Sequence, residues 1–306
     1  MSIKRFAAAF IAGALSLGTL AACGGSDKAS DNSSASSSSS AASSDLSGTI
    51  SAAGATAFQP LVQAAADAFT KDNSGVSITV SGGGSGTGLK QVSDGSVTIG
   101  DSDVFAEEKL TPDQAKALVD HQVAISVMAP VVNSELGVTN LTTDQLVSIF
   151  TGKTKNWKEV GGPDEEIALI TRPDSSGTRA TFKKYALNDA EEAHNQALET
   201  DDSGTLVQTV SQNKSAIGYV AINYVQGNNS VKTVQIDGVD ATLDNVYSGK
   251  YKVWTAEHMY TKGDPDAATK AFLDYIVSDT FAQQVADMGY GSASKMTDAA
   301  KATHAK

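Results

Sequence analysis

Three times in this chain a short β-like run ends in a turn of glycine, serine and threonine and passes straight into a helical pattern. The segments are GATAFQ at 54–59, GGGSGTGLKQ at 82–91 and RPDSSGTRATF at 172–182. A strand that feeds a helix through so short a turn packs against it, which commits the chain to an α/β architecture. The turns also carry chemistry. A helix N-terminus holds unpaired N–H groups and a partial positive charge, glycine lets an oxyanion approach that backbone, and hydroxyls add donors. One such turn is ordinary capping, because serine and threonine are common N-caps. Three of them, one with Arg172 at the strand end, are expected to converge on an anion, since ligands of α/β folds sit at the carboxyl ends of strands.

Periodicity supports the layering. GTISAAGA reads as a strand, and Phe58, Leu61, Val62, Ala65 and Phe69 then recur at helical spacing. Thr56 and Gln59 make a T-x-x-Q capping box, with Pro60 in the first turn, where proline is tolerated. VSITV (76–80) alternates as a strand, VTIGDSD is a short strand ending in polar residues, and VAISVMAPVV (123–132) is apolar on both faces, as a central strand would be. TTDQLVSIF is then a helix closed by Gly152, EIALIT a strand, and RATFKKYAL a helix with Phe182, Tyr185 and Ala186 on one side. AIGYVAINYV, SVKTVQI and YKVWTAEHMYT read as strands, and ATKAFLDYIVSDTFAQQVADMG as helix, break and helix ending at Gly289.

The beginning of the chain is of another kind. Lys4 and Arg5 precede an apolar run from Phe6 to Leu20, and small residues lead to Cys23, the pattern of an export signal over residues 1–22. LAAC (20–23) resembles the lipobox of bacterial lipoproteins, in which the signal is cut before a cysteine that takes lipid, palmitate among the acyl chains. Cys23 is the single cysteine, so no intrachain disulfide can form and the exported part must be held by its core. Residues 23–47 are rich in serine and alanine with almost no large apolar side chain, a composition that cannot offset its ordering entropy and reads as a flexible tether. No second apolar run is long enough to span a bilayer. The chain carries 23 basic and 35 acidic residues, and loss of Lys4 and Arg5 with the leader takes the net charge from −12 to −14. That balance excludes a nucleic-acid partner, which needs a basic footprint, and requires an anion site to work through local dipoles and a few placed charges.

Rival motifs fail on register. GGGSGTG lacks the third glycine of a dinucleotide fingerprint, with Thr87 or Leu89 in its place, and TGKT (151–154) would need its first glycine at Val147. A nucleophile elbow around Ser85 would put its second glycine at Thr87. His121, His194, His258 and His304 are scattered without an i, i+4 pair, so a metal site or catalytic triad has no local support; neither metal nor cofactor is expected. Among the many carboxylates Asp103 stands apart, because IGDSD ends a strand where the anion turns would gather. Asp101 is its rival in the same turn, and a simple cap or turn aspartate is the plain alternative.

GSGTGLKQV, IGDSDVFAEEK, IFTGKTKNWKEVGG, RPDSSGTRATFKKY and AIGYVA, in this order and at these spacings, resemble the phosphate-binding lipoproteins of bacterial high-affinity phosphate import systems, a branch of the periplasmic-binding-protein superfamily. The resemblance covers nearly all of the chain after the tether. It implies a two-lobed periplasmic-binding-protein-like α/β fold joined by crossing strands near 124–132 and 251–260, with lobe 1 formed by 48–128 and 253–306 and lobe 2 by 129–252. It implies inorganic phosphate in the cleft, bound by Thr56, the amide of Ala57, Ser85, Asp103, Arg172, Ser176, Gly177 and Thr178, with Asp174 bracing the arginine. The first turn departs from the family, in which an aromatic residue often follows the hydroxyl directly; here Ala57 precedes Phe58. Trp157 matches a family position and is read as packing. The implied protein is not an enzyme. It is a monomeric, lipid-anchored binding protein at the outer face of the cytoplasmic membrane that delivers phosphate to the permease subunits of an ABC transporter. Sulfate as ligand and an exported phosphoesterase are the alternatives; the latter would need a nucleophile with a base, or a two-metal cluster.

Overall fold

The computed structural model describes residues 46–193 and 198–304; the leader, Cys23, the tether up to residue 45 and His194 lie outside the described residues, and Ser47, expected to end the tether, already opens the first strand. The first half of the described chain runs β1 (Ser47–Gly54), α1 (Gln59–Asp72), β2 (Gly75–Ser81), α2 (Ser85–Asp94), β3 (Ile99–Ser102), α3 (Pro112–Lys116), β4 (Leu118–Asn133), β5 (Asn140–Leu141), α4 (Thr143–Phe150) and β6 (Ala168–Thr171). It continues through α5 (Gly177–Ala186), β7 (Leu198–Glu199), α6 (Ser203–Gln212), β8 (Ala216–Ala221), β9 (Val231–Thr233), β10 (Gln235–Ile236), α7 (Leu243–Tyr247), β11 (Trp254–Lys262), α8 (Ala267–Ile276), α9 (Asp279–Asp287) and α10 (Asp298–Ala302).

The main sheet has the order β2-β1-β3-β11-β4-β8-β6-β7, with β9 also paired to β4. β1 is parallel to β2 and β3, and β6 is parallel to β7 and β8. Between these two parallel groups lie the antiparallel strands β11 and β4. β4 is the element that joins the halves: residues 118–127 pair with β11, and residues 128–132 pair with β8. From Ala124 to Asn133 every residue is buried, which is why this segment reads as apolar on both faces.

Two main cores flank this join. Ile50, Phe58, Leu61, Phe69, Ile99, Phe272 and Phe281 pack one of them, where α1 lies on β2, α8 on β1 and the two helices meet. Leu146, Phe150, Trp157, Phe182, Ile217 and Tyr219 pack the other, around α4, α5 and β8. Burial of each large side chain contributes about 1.5–3 kcal/mol. Trp157 is fully buried and its indole N–H donates to the Ser215 carbonyl at 2.9 Å, the packing role expected from the sequence. β4 passes from one core to the other between Ala124 and Ile125.

Three expectations need correction. Thr56 does not cap α1: the N-cap is Phe58, without a side-chain cap, and the threonine hydroxyl is engaged elsewhere. The helix α6 went unread, because SGTLVQTVSQ has few apolar residues and its stripe of Leu206, Val207 and Val210 is narrow. The C-terminal stretch had been assigned wholly to lobe 1, yet Met296 and Ala300 pack in the second core, where α10 meets α7.

Candidate functional site

The β-turn-helix units deliver their turns to one place, at the boundary between the two cores. α2 starts at Ser85 behind Gly83 and Gly84, both at positive φ, which allows the backbone to turn sharply into the helix. α5 starts at Gly177, with Ser176 as N-cap; its hydroxyl oxygen accepts from the Arg179 N–H at 3.3 Å. The cap is therefore ordinary, but its hydroxyl proton is not used in that bond and is available to an anion. β3 ends next to these helix starts and carries Asp103 just beyond its last residue.

The predicted site residues are all buried: Thr56, Ala57, Ser85, Asp103, Arg172, Ser176 and Thr178 expose 5 % or less of their surface, and Gly177 is buried as well. Asp103 links several of them. Its N–H donates to Ser85 Oγ at 2.9 Å, and its Oδ2 accepts from the Thr178 hydroxyl at 2.7 Å. Gly177 lies against Ser85 so closely that a Cβ there would collide with the serine hydroxyl. Gly86 donates its N–H to the Ser175 carbonyl at 2.9 Å, so the starts of α2 and α5 touch directly.

Arg172 stands at the end of β6 with no exposed surface. Its Nη1 donates to the Asp201 carbonyl at 2.9 Å, its Nη2 to Ser203 Oγ at 2.9 Å and its Nε to the Tyr219 carbonyl at 3.4 Å. Its guanidinium carbon lies 5.7 Å from the centre of the Tyr219 ring. Thr56 belongs to the same network: its hydroxyl donates to the Asp201 carbonyl at 2.6 Å and lies 3.0 Å from Ser203 Oγ. The Thr56 carbonyl accepts from Tyr224 and the Ala57 carbonyl from Tyr290, which fixes the first turn.

Asp174 does not brace Arg172. It pairs with Nη2 of Arg179 at 3.3 Å, while the carboxylate beside Arg172 is that of Asp201, 3.5 Å from Nη1. The resemblance implied the nearer acid, but residue 174 sits in the turn leading to α5 and reaches the helix's own arginine. Arg179 is itself buried, and its Nη1 donates to the Arg172 carbonyl. Asp201 and Ser203 were missed. Their signal was available: DDSGTLV at 201–207 repeats the acid, Ser-Gly-Thr and helix design of DSSGTRA at 174–180.

Burial pushes the Asp103 carboxyl up, while the Thr178 hydroxyl, Glu257 and the Arg172 charge pull it back and Asp201 adds to the rise. Burial likewise pushes Asp101 well above the carboxylate range, with Asp103 adding to the effect. The chemistry is that of a buried cluster with the Arg172 cation, two helix N-termini, several hydroxyls and a carboxylate acceptor. Such a set suits an oxyanion that still carries a proton.

Two lobes that share crossing strands and enclose a buried polar cleft define a solute-binding protein. The profile described as PBP superfamily domain matches residues 39–280. The phosphate-binding protein PstS of Bacillus subtilis is 50% identical over 245 residues, which span 80% of this chain and 80% of that protein. A Clostridium perfringens structure, described as a phosphate ABC transporter substrate-binding protein with bound phosphate, superposes with a TM-score of 0.73 at 31% identity, covering 80% of this chain and 99% of the other. An ABC-type phosphate transport receptor from Vibrio cholerae gives a TM-score of 0.63 at 28% identity, covering 79% and 99%. The chain belongs to the PBP superfamily and, within it, to the family of the phosphate-binding protein PstS.

Proposed function

We propose that this chain binds inorganic phosphate in the interlobe cleft and delivers it to the membrane permease subunits of an ABC transporter for import. The observation that carries the reading is the buried convergence of Arg172, the N-termini of α2 and α5, and Asp103. In this reading Arg172 supplies the charge, and the hydroxyls of Ser85 and Ser176 and the amides of Gly177 and Thr178 donate, while the Thr178 hydroxyl stays on Asp103. Thr56 and the Ala57 amide close the first turn over the ligand, and Asp103 accepts the proton of the phosphate. Asp201, rather than Asp174, orients Arg172. The relatives are named for phosphate binding and transport, which supports binding over the phosphoesterase reading.

The site of action proposed is the outer face of the cytoplasmic membrane, with a lipid on Cys23 as anchor, a tether over 23–47 and a monomeric two-lobed body. Among the described residues no helix is long and apolar enough to cross a membrane. Isothermal titration of phosphate and of sulfate into the Cys23→Ser chain tests the function: saturable phosphate binding without sulfate binding is expected. Equal affinity for both anions would overturn the phosphate assignment, and release of chromophore from a phosphate ester would overturn the binding-only reading.

A further inference from the structure

Glu257 lies in the middle of β11, with no exposed surface, and neither of its carboxyl oxygens has a hydrogen-bond partner. It sits opposite Ala124 of β4, at a register irregularity of the β11–β4 pairing. Two residues earlier on the same strand, Thr255 donates its hydroxyl to the carbonyl of Asp103. Glu257 is thereby held beside Asp103, whose Oδ1 is buried without a partner.

The groups that face Glu257 supply no cation. Asp101 and Asp103 approach from β3 and the residues after it, and Ser126 from β4; Tyr290 follows α9 and Tyr224 follows β8. Arg172 acts across the cleft on Asp103. Among the described residues Glu257 enters no ion pair. Burial first, and the neighbouring Asp103 second, push its carboxyl well above the usual range. Two carboxylates side by side in a dry site repel and cannot hydrogen-bond; one proton between them turns two orphaned acceptors into a donor and an acceptor.

We propose that Glu257 is a positioning residue for the anion site, a carboxylic acid that shares one proton with Asp103 and keeps Asp103 an acceptor toward a protonated oxyanion. The proposal rests on the phosphate reading above. The shared proton satisfies one oxygen of Asp103, so that the other is left to Thr178 and to a P–OH group. It also limits the charge beside the bound anion to that of a single carboxylate. When pH rises far enough to remove the shared proton, a second negative charge appears next to the ligand and affinity falls. The loss follows the raised ionisation of the pair, so it lies on the alkaline side.

Phosphate affinity of the full chain, measured by calorimetry from about pH 6 to about pH 10 for wild type and Glu257→Gln, tests this. The glutamine keeps a donor for Asp103 but has no proton to lose. At the acid end it should bind within about threefold of wild type, and over the whole range wild type should lose about tenfold more affinity than the variant. Superimposable pH profiles overturn the proposal. If Glu257→Gln does not fold, carbon-13 spectra of glutamate-labelled wild type carry the test. Two raised glutamates are expected: Glu192, which burial pushes up to about 7, and a second one higher. A single raised signal overturns the shared proton. Failure of wild type to bind phosphate at any pH overturns the phosphate reading instead, and the carbon signals then decide the shared proton alone.

Discussion

Arg172 Nη1 stands 2.9 Å from the carbonyl oxygen of Asp201 and 3.5 Å from its carboxylate, so the buried cation of the site is oriented by a residue just ahead of α6. Nη2 is held by Ser203 in the first turn of the same helix, at 2.9 Å. A guanidinium fixed at three of its N–H groups loses little further freedom when a ligand arrives, which is what pre-organisation contributes to affinity.

Replacing Arg172 by alanine leaves the half-buried Asp201 carboxylate without its partner and the ligand without its cation. Truncation of one side of a buried charge pair costs about 2–5 kcal/mol, so phosphate affinity should fall about 30-fold to several thousand-fold in calorimetry. Arg179→Ala should act differently. Its guanidinium bonds the Arg172 backbone and Asp174 and lies 4.0 Å from Glu192, so the main loss expected is in thermal midpoint. Equal affinity losses for the two variants would refute this division.

Asp201→Asn should strengthen binding. The asparagine keeps the backbone carbonyl that orients Nη1 and removes a negative charge that opposes the ligand. Each factor of ten in affinity corresponds to about 1.4 kcal/mol, and a gain of about 3- to 10-fold is expected. Titration at low ionic strength checks it; a large loss would mean that the carboxylate itself positions the arginine.

The anion turns were legible because glycine, serine and threonine at a strand-to-helix junction leave a compositional mark, and Arg172 sits inside one of them. The central strand was legible because burial on both faces demands an unbroken apolar run. Asp201 left a mark in DDSGTLV that was missed, and Glu257 left none. Their roles come from partners far away in the chain: Asp201 meets Thr56 and Arg172, and Glu257 meets Asp103 across the sheet. A lone acid in a sequence reads as solvated until the fold removes water from it. Asp174 shows the converse error, in which the family resemblance implied a pair that this chain does not form, its carboxylate going to Arg179.

Asp103 should set selectivity. Phosphate near neutral pH carries at least one proton and sulfate carries none, and an ionised aspartate accepts hydrogen bonds without donating any. Sites built around such a bond reject analogues lacking it by about 10⁴ or more. Asp103→Asn offers sulfate a donor, so the gap between the two anions should narrow. Asp101→Asn, at a buried neighbour within β3, should leave it nearly unchanged. Competition titrations that show sulfate excluded as strongly by Asp103→Asn as by wild type would remove Asp103 as the discriminator.

Glu192 gives the fold a pH dependence of its own. Burial pushes its carboxyl from the ordinary glutamate value up to about 7, against the pull of Tyr219 and Arg179. The folded state therefore binds this proton more tightly than the unfolded chain. The resulting stability is fully present below about pH 4.5 and is lost as pH rises through about 7, on the order of 1–3 kcal/mol. Glu192→Gln should remove this slope. Thermal midpoints of wild type and variant at about pH 5 and about pH 8 check it, and parallel declines in the two proteins would assign the slope to other groups.

Gly177→Ala separates closure from folding. A Cβ at this position would collide with the Ser85 hydroxyl and lie 2.9 Å from Asp103 Cβ. These neighbours belong to α2 and to the turn after β3, whereas Gly177 opens α5, so the clash falls across the cleft and not within either core. Alanine is otherwise a better helix former than glycine, so α5 itself should not weaken. The strain has one simple outlet, a parting of the two lobes, which breaks the Asp103–Thr178 bond and draws the donors of α5 away from those of α2. The variant should keep a thermal midpoint near that of wild type and lose phosphate affinity by about 100-fold, about 2.7 kcal/mol. Its radius of gyration by small-angle scattering with saturating phosphate should exceed that of wild type measured in the same way. If the two proteins give the same radius, the close approach of Gly177 to Ser85 is not what completes the site.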